Sequence, residues 1–334
     1  MSADFTRRYI NLAQPALGAE VISATDEFFG SRDRLIKPEP AVFLPDEYDD
    51  NGKWMDGWET RRKRHEGFDH CILKLGMPGL LRGFDIDTSF FIGNYPPSAS
   101  IDVCLSDDVP DETTSWTRVL QSVSLEPGSH NLFEVDNDFP WNYIRLNIYP
   151  DGGVARLRVY GEVVPDWEHV GREDVIDLLA LEYGGRALMC NDEHFGSMHN
   201  LIKPTPPINM GDGWETRRRR DPGYDWAILS LGRLGEIEKI VVETTFFKGN
   251  YPESCSIQAA FVKGGSEDTM ATQSLFWPEL LPKSYLTPDA SHIFTDTISD
   301  IGPVSHIRIN VFPDGGISRL RLYGRVRSLG IVTA

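Results

Sequence analysis

Positive charge is the first thing this sequence has too little of. Lys and Arg number 33 against 50 Asp and Glu, which leaves a formal net charge of -17 at pH 7. A surface of that sign repels the phosphate backbone of nucleic acid, whose binding needs clustered cations, and it repels an anionic membrane for the same reason. Neither partner is expected. A small anion is still admissible where arginines gather locally against the general field. Long apolar runs are absent too, and none approaches the roughly 20 residues of a membrane span. The stretch Met1 to Arg8 has no apolar core of the kind a secretory signal carries. Cysteine is scarce: Cys71, Cys104, Cys190 and Cys255 show no C-x-x-C spacing. The sequence contains no phosphate-binding glycine loop, no dinucleotide fingerprint and no Gly-x-Ser-x-Gly elbow, so those enzyme classes are set aside.

What the sequence does contain is a repeat. Asp56-Gly57-Trp58-Glu59-Thr60-Arg61-Arg62 returns as Asp212-Gly213-Trp214-Glu215-Thr216-Arg217-Arg218, at an offset of 156. Phe90-Phe91-Ile92-Gly93-Asn94-Tyr95-Pro96 returns at the same offset as Phe246-Phe247-Lys248-Gly249-Asn250-Tyr251-Pro252. Upstream, Asp26-Glu27-Phe28-Phe29-Gly30 matches Asp192-Glu193-His194-Phe195-Gly196, and Leu35-Ile36-Lys37-Pro38 matches Leu201-Ile202-Lys203-Pro204, at an offset of 166. The first copy therefore holds about ten extra residues between Pro38 and Asp56. Pro150-Asp151-Gly152-Gly153 matches Pro313-Asp314-Gly315-Gly316 at 163, so the second copy has gained about seven in its variable middle. The domains read as 10–162 and 183–326. Residues 163–182 join them and overlap the start of the second copy. Within the joint, Glu173 to Leu181 has helical residue types with acids first, which predicts a helical linker. The cysteines do not follow the repeat: their counterpart positions hold Ala227, Ala260, Ala24 and Ala99. Reduced thiols in a cytoplasmic protein are expected.

Inside a copy the pattern is strand. Ile144, Leu146 and Ile148 alternate with Arg145, Asn147 and Tyr149. After the Pro-Asp-Gly-Gly tetrapeptide, Ala155, Leu157 and Val159 alternate with Arg156, Arg158 and Tyr160. Two period-2 runs about a turn predict a hairpin. Ile72 to Leu75 and Phe84 to Phe91 predict further strands. Short strands with Gly and Pro turns predict an all-β chain, a tandem pair of jelly-roll β-sandwiches.

Positions kept in both copies after such drift serve a shared fold or a shared site. A guanidinium is a planar fork that grips a carboxylate through two hydrogen bonds, which points to Arg61, Arg62, Arg217 and Arg218. Glu59, Glu215 and Asp212 can orient those forks or move protons. Asn94 and Asn250 offer amide hydrogen bonds, with Tyr251 beside them. Arginine runs are more often solvated surface, and Gly-Asn-Tyr-Pro is also plain turn chemistry. Arg145, Asn147, Arg156 and Arg158 could share one sheet face, as could their second-copy counterparts, while cross-strand pairing with carboxylates is the more common use of such residues. The copies differ where Phe28 gives way to His194 and Asp33 to His199. His194 can exchange protons near neutral pH. Asp192, Glu193, His194 and His199 match no strong metal-ligand spacing, so no metal or other cofactor is expected.

The doubled Asp-Gly-Trp-Glu-Thr-Arg-Arg, Phe-Phe-x-Gly-Asn-Tyr-Pro and Asp-Glu-His-Phe-Gly motifs, with the closing Pro-Asp-Gly-Gly turns, resemble allantoicase over nearly the whole chain. The resemblance implies an amidine hydrolase of purine (ureide) degradation that converts allantoate and water to ureidoglycolate and urea. It also implies sandwiches similar to galactose-binding-like domains. Catalytic roles for Glu215, His194 and Asp212, and substrate-binding roles for Arg217, Arg218, Asn250, Tyr251, Arg61, Arg62, Glu59 and Asn94, are our own reading of the residues. The second copy is expected to hold the more important site, in a homo-oligomer. The alternative is a non-catalytic module that binds a carbohydrate or small anion, with Trp58, Tyr95, Trp214 and Tyr251 stacking on sugar rings.

Overall fold

A computed structural model describes residues 5–264 and 267–327. Residues 1–4 of the amino-terminal stretch lie outside the described residues. The chain divides into two compact units, Met1–Val164 and Pro165–Ala334.

Each unit is organised by one long strand. In the first it is Asp69–Asp87, whose two halves belong to different sheets. The first half pairs with Trp141–Tyr149 on one side and Glu20–Ala24 on the other. Trp141–Tyr149 continues to Ser98–Cys104 and then Thr117–Ser124. The second half pairs with Arg156–Val163 and His130–Glu134, and Ile10–Asn11 adds beyond Arg156–Val163. The two sheets make the layers of a jelly-roll β-sandwich. The long strand bends around Gly76 and Gly79, where the chain approaches a neighbour too closely for a side chain. A Cβ on Gly76 would lie 1.8 Å from the Leu17 carbonyl oxygen. The second unit repeats this plan. Its long strand Asp225–Glu243 pairs first with Val304–Phe312 and Arg186–Cys190, then with Arg319–Val326 and Ser291–Phe294.

Alternation drives the layering. Ile144, Leu146 and Ile148 lie in the first core with Leu73, Phe84, Leu157 and Val159; Ile307, Ile309 and Val311 join Ile228, Ile240, Leu320 and Leu322 in the second. All are fully buried. Each such side chain contributes roughly 1.5–3 kcal/mol of transfer free energy.

The structure corrects three expectations. The runs flanking Pro-Asp-Gly-Gly are strands, yet they do not form a hairpin. Trp141–Tyr149 and Arg156–Val163 pair with opposite halves of the long strand, so the turn carries the chain between sheets. Alternation reports a half-buried strand but not its partner. The segments around Ile72 and Phe84 are parts of that single long strand, and Phe90 and Phe91 lie beyond its end. The joint between copies contains no α-helix among the described residues. Ile176–Asp177 is a strand, paired Ile176 to Gly324, as Ile10 pairs with Gly161. Asp177 to Leu181 are all buried, which a helix with one apolar face would not achieve. Asp177 Oδ1 accepts from the Leu179 and Leu322 N–H groups, as Asn11 Oδ1 accepts from Ala13 and Val159.

Candidate active site

The doubled motifs meet at one end of each sandwich. In the first copy Trp58–Glu59 pairs with Gly153–Val154, and Gly30 bridges to Glu59. Trp58 is fully buried and its indole N–H donates to the Asp26 carbonyl at 2.8 Å. The Gly153 N–H donates to the Asn94 carbonyl at 2.7 Å, which brings the Asn94 amide to the Glu59 carboxylate at 2.7 Å. Gly153 must be glycine, since a Cβ there would lie 2.0 Å from the Phe91 ring. The second copy repeats each contact. Trp214 donates to the Asp192 carbonyl at 2.9 Å, Gly316 to the Asn250 carbonyl at 2.8 Å, and Asn250 to the Glu215 carboxylate. Phe90 and Phe246 hold left-handed backbone with φ of 69° and 70°. That conformation is disfavoured for an aromatic residue, and both copies keep it at the loop that delivers the asparagine.

The arginines divide into two kinds. Arg61 Nε reaches Asp26 Oδ1 and Oδ2 at 3.2 Å, and Arg217 Nε reaches Asp192 Oδ1 at 3.1 Å. Both guanidiniums stay about two-thirds exposed, at 64% and 65%. Arg62 and Arg218 are exposed and have no ion pair among the described residues. Arg156 and Arg319 are different, being wholly buried. Arg319 Nη2 holds Asp212 at 2.7 Å, and Arg156 Nη2 holds Asp56 at 2.6 Å. Lys203 and Lys37 take the same two carboxylates at 2.7 and 3.0 Å. Burial alone would push the Asp212 carboxyl up, but hydrogen bonds from Lys203 and Arg319 hold it below its ordinary value. Both Asp212 oxygens are thus engaged by the scaffold that shapes the loop.

Arg145, Asn147, Arg156 and Arg158 do not share one face, and the carboxylate pairing holds for Arg145, whose cross-strand partner is Asp102. Arg145 and Asn147 bond Asp102 at 2.7 and 2.9 Å. Arg156 and Arg158 extend from the other sheet to the backbone of Lys37 to Pro40 and to Asp56. Trp58 and Trp214 offer no stacking surface, because neither has any exposed area. Tyr95 and Tyr251 are partly exposed.

The two sites differ in access. Glu59 is 9% exposed, and burial pushes its carboxyl up, against the Asn94 hydrogen bond and with help from nearby Asp49. Asp49 belongs to the extra residues, whose short strands Tyr48–Asp49 and Gly52–Lys53 form a flap. Asn51 of that flap donates to the Phe28 carbonyl at 2.8 Å. The Phe28 ring lies under the Arg61 guanidinium at 5.2 Å. The second copy lacks the flap, and Glu215 is more open. His194, in the place of Phe28, is exposed and packs edge-on against Phe195 at 4.6 Å. Glu193 receives the Ser197 hydroxyl and the Met198 N–H, each at 3.2 Å. Among the described residues no three His, Cys, Asp or Glu side chains are grouped to share a metal ion.

Residues the sequence reading did not nominate include Asp26 and Asp192, Lys37 and Lys203, and the scaffold roles of Arg156 and Arg319. Their signal was present, since the first four stand in the doubled Asp-Glu-x-Phe-Gly and Leu-Ile-Lys-Pro motifs.

A family model described as the allantoicase repeat matches residues 10–164 and 176–327. A probable allantoicase of Pseudomonas fluorescens (strain SBW25) is 57% identical over 320 residues, covering 96% of this chain and 97% of the relative. One from Photobacterium profundum is 57% identical over 318 residues, covering 95% and 96%. Among solved structures, allantoicase from Saccharomyces cerevisiae superposes with a TM-score of 0.79 at 34% identity, covering 94% of this chain and 92% of that one.

Proposed function

The chain belongs to the allantoicase family and hydrolyses allantoate to ureidoglycolate and urea, and on that premise we propose that the reaction runs at the loop end of the second copy. The observation that carries this lies at the carboxylate: Glu59 is 9% exposed beside Asp49 of the flap, whereas Glu215 is partly exposed and has His194 in the place of Phe28 in the preceding loop. Arg217 and Arg218 grip the substrate carboxylate. Arg217 gives Nε to Asp192 and keeps its outer N–H groups for the ligand. Arg218 is free to close on it. Asn250 donates to Glu215, leaving its amide oxygen for a ureido N–H, and Tyr251 lies beside it in the same loop. Glu215 and His194 exchange protons. One gives a proton to the departing urea nitrogen, and the other takes one from the water whose oxygen joins the central carbon. Asp212 acts through the scaffold, holding the loop with Arg319 and Lys203. Arg61, Arg62, Glu59 and Asn94 form the counterpart in the first copy, where the carboxylate is buried.

These steps draw on side chains alone and assign no resident metal. We further propose that the enzyme acts in the cytoplasm as a homo-oligomer. Alanine at every counterpart of a cysteine supports thiols that do not pair as part of the repeat. Only opened allantoate has the free carboxylate the arginines require. Urea release should therefore be rapid with allantoate and absent with allantoin at equal concentration. Turnover of allantoin alone would overturn the reading.

A further inference from the structure

We propose that the second unit carries an anion-binding site away from the motif loops, built to take a phosphate group, free or carried on a nucleotide. The site is a cavity of about 540 Å³ where the joint between copies passes the bend of the long strand. That volume is within the range of small-molecule sites. Trp167, Val170 and Val326 supply its apolar wall, and Arg172, Arg233 and Arg327 supply the charge. The three arginines arrive from separate segments: the joint, the bend and the last strand. At the repeat offsets their first-copy counterparts are Thr6, Met77 and Val164. Three neutral positions thus correspond to cations around a single cavity, in a chain whose net charge is -17.

Two of the three arginines have no ion pair among the described residues. Arg233 lies over the Trp167 ring at 4.3 Å and has no carboxylate among the described residues. Arg172 has no ion pair among them either. Arg327 Nε is held by Glu236 at 2.9 Å. Glu173 is the one lining carboxylate, and it lies 3.8 Å from Arg325, which also pairs with Glu238. Several guanidiniums facing one volume suit an oxyanion with more than one charge, because each fork donates to two oxygens. The Trp167 indole carries Arg233 on its face and packs against Tyr183 at 5.7 Å, so it positions that guanidinium for the anion.

The test is calorimetric titration of the full-length protein with pyrophosphate and, separately, with ADP at low salt. Saturable binding is expected in the wild type. Arg233→Met and Arg172→Thr install residues the first copy tolerates. Each should weaken binding about tenfold or more, and the double variant should abolish it. Equal affinities for pyrophosphate and ADP assign the site to the phosphate alone, and tighter binding of ADP assigns it to the nucleotide. No saturable binding, or unchanged affinity in the double variant, would overturn the proposal. Urea release from allantoate by the double variant keeps this result separate from the assignment of the active site.

Discussion

Arg319 has no exposed surface, so its guanidinium must be satisfied from within. It donates to the carbonyls of Thr205, Asn200, Asp212 and Ser318 and to the Asp212 carboxylate. The alternation of Arg319 and Arg321 along a strand was legible in the sequence. The reach of each side chain to a loop more than a hundred residues earlier was not, because period-2 patterning fixes a face and leaves the partner open. The same limit hid Asp85. Burial pushes its carboxyl up to about 6, against a 2.7 Å hydrogen bond with His130; Asp87 adds to the rise and Arg158 opposes it. Asp85 Oδ1 is buried with no hydrogen-bond partner among the described residues. His130, despite partial burial, is held above its ordinary value by that carboxylate. Both folded-state pKa values are raised. The stability they contribute is present in acid and is lost as pH rises through about 6 and then through the His130 value. The second copy has Val241 at the position of Asp85. Asp85→Val should raise the melting temperature at about pH 7.5 and flatten its dependence between about pH 5 and 7.5. A pH-independent difference from wild type in thermal melts would refute this origin.

At the scale of elements, the copies agree on which strands form and differ in how they are pinned. Arg82 pairs with Glu162 at 3.1 Å, and both are mostly buried. The counterpart positions hold Glu238 and Arg325, which also pair, with the charges exchanged. The contact therefore joins the second half of the long strand to its neighbour with either polarity. Arg82→Glu should destabilise the fold by about 1 kcal/mol or more, since two carboxylates then face each other. Adding Glu162→Arg should restore most of it, as chemical denaturation would report; two penalties that merely add would show that the pair is not coupled. The elements themselves were largely readable from period-2 runs and turn residues. The expected hairpin and linker helix were not formed, and both departures have one cause. Tertiary strand pairing, to the bent strand after Pro150 and to Arg319–Val326 at Ile176, overrides the local signals.

For the whole molecule, duplication is what made the site legible. Glu59, Asn94, Arg61 and Arg62, with Glu215, Asn250, Arg217 and Arg218, could be nominated because the heptapeptide and the Gly-Asn-Tyr-Pro loop occur twice. The Glu–Asn contact that joins the two motifs in space needed the fold. So did the burial of Glu59 beside the flap that the second copy lacks. The central claim is that the copy with the more open carboxylate does the chemistry. Losing a buried, charge-paired arginine from a binding site costs about 2–5 kcal/mol, or roughly 30-fold to a few thousand-fold in catalytic efficiency. Arg217 is more exposed than that in the free enzyme, so the lower half of the range applies until substrate covers it. The direct measurement is kcat/KM for urea release from allantoate by Arg217→Ala and Arg61→Ala, each first shown to be folded by its circular dichroism and melting curve. Catalysis in the open copy predicts a loss of about 30-fold or more for Arg217→Ala and a small change for Arg61→Ala. An inactive Arg61→Ala beside a near-normal Arg217→Ala would contradict it.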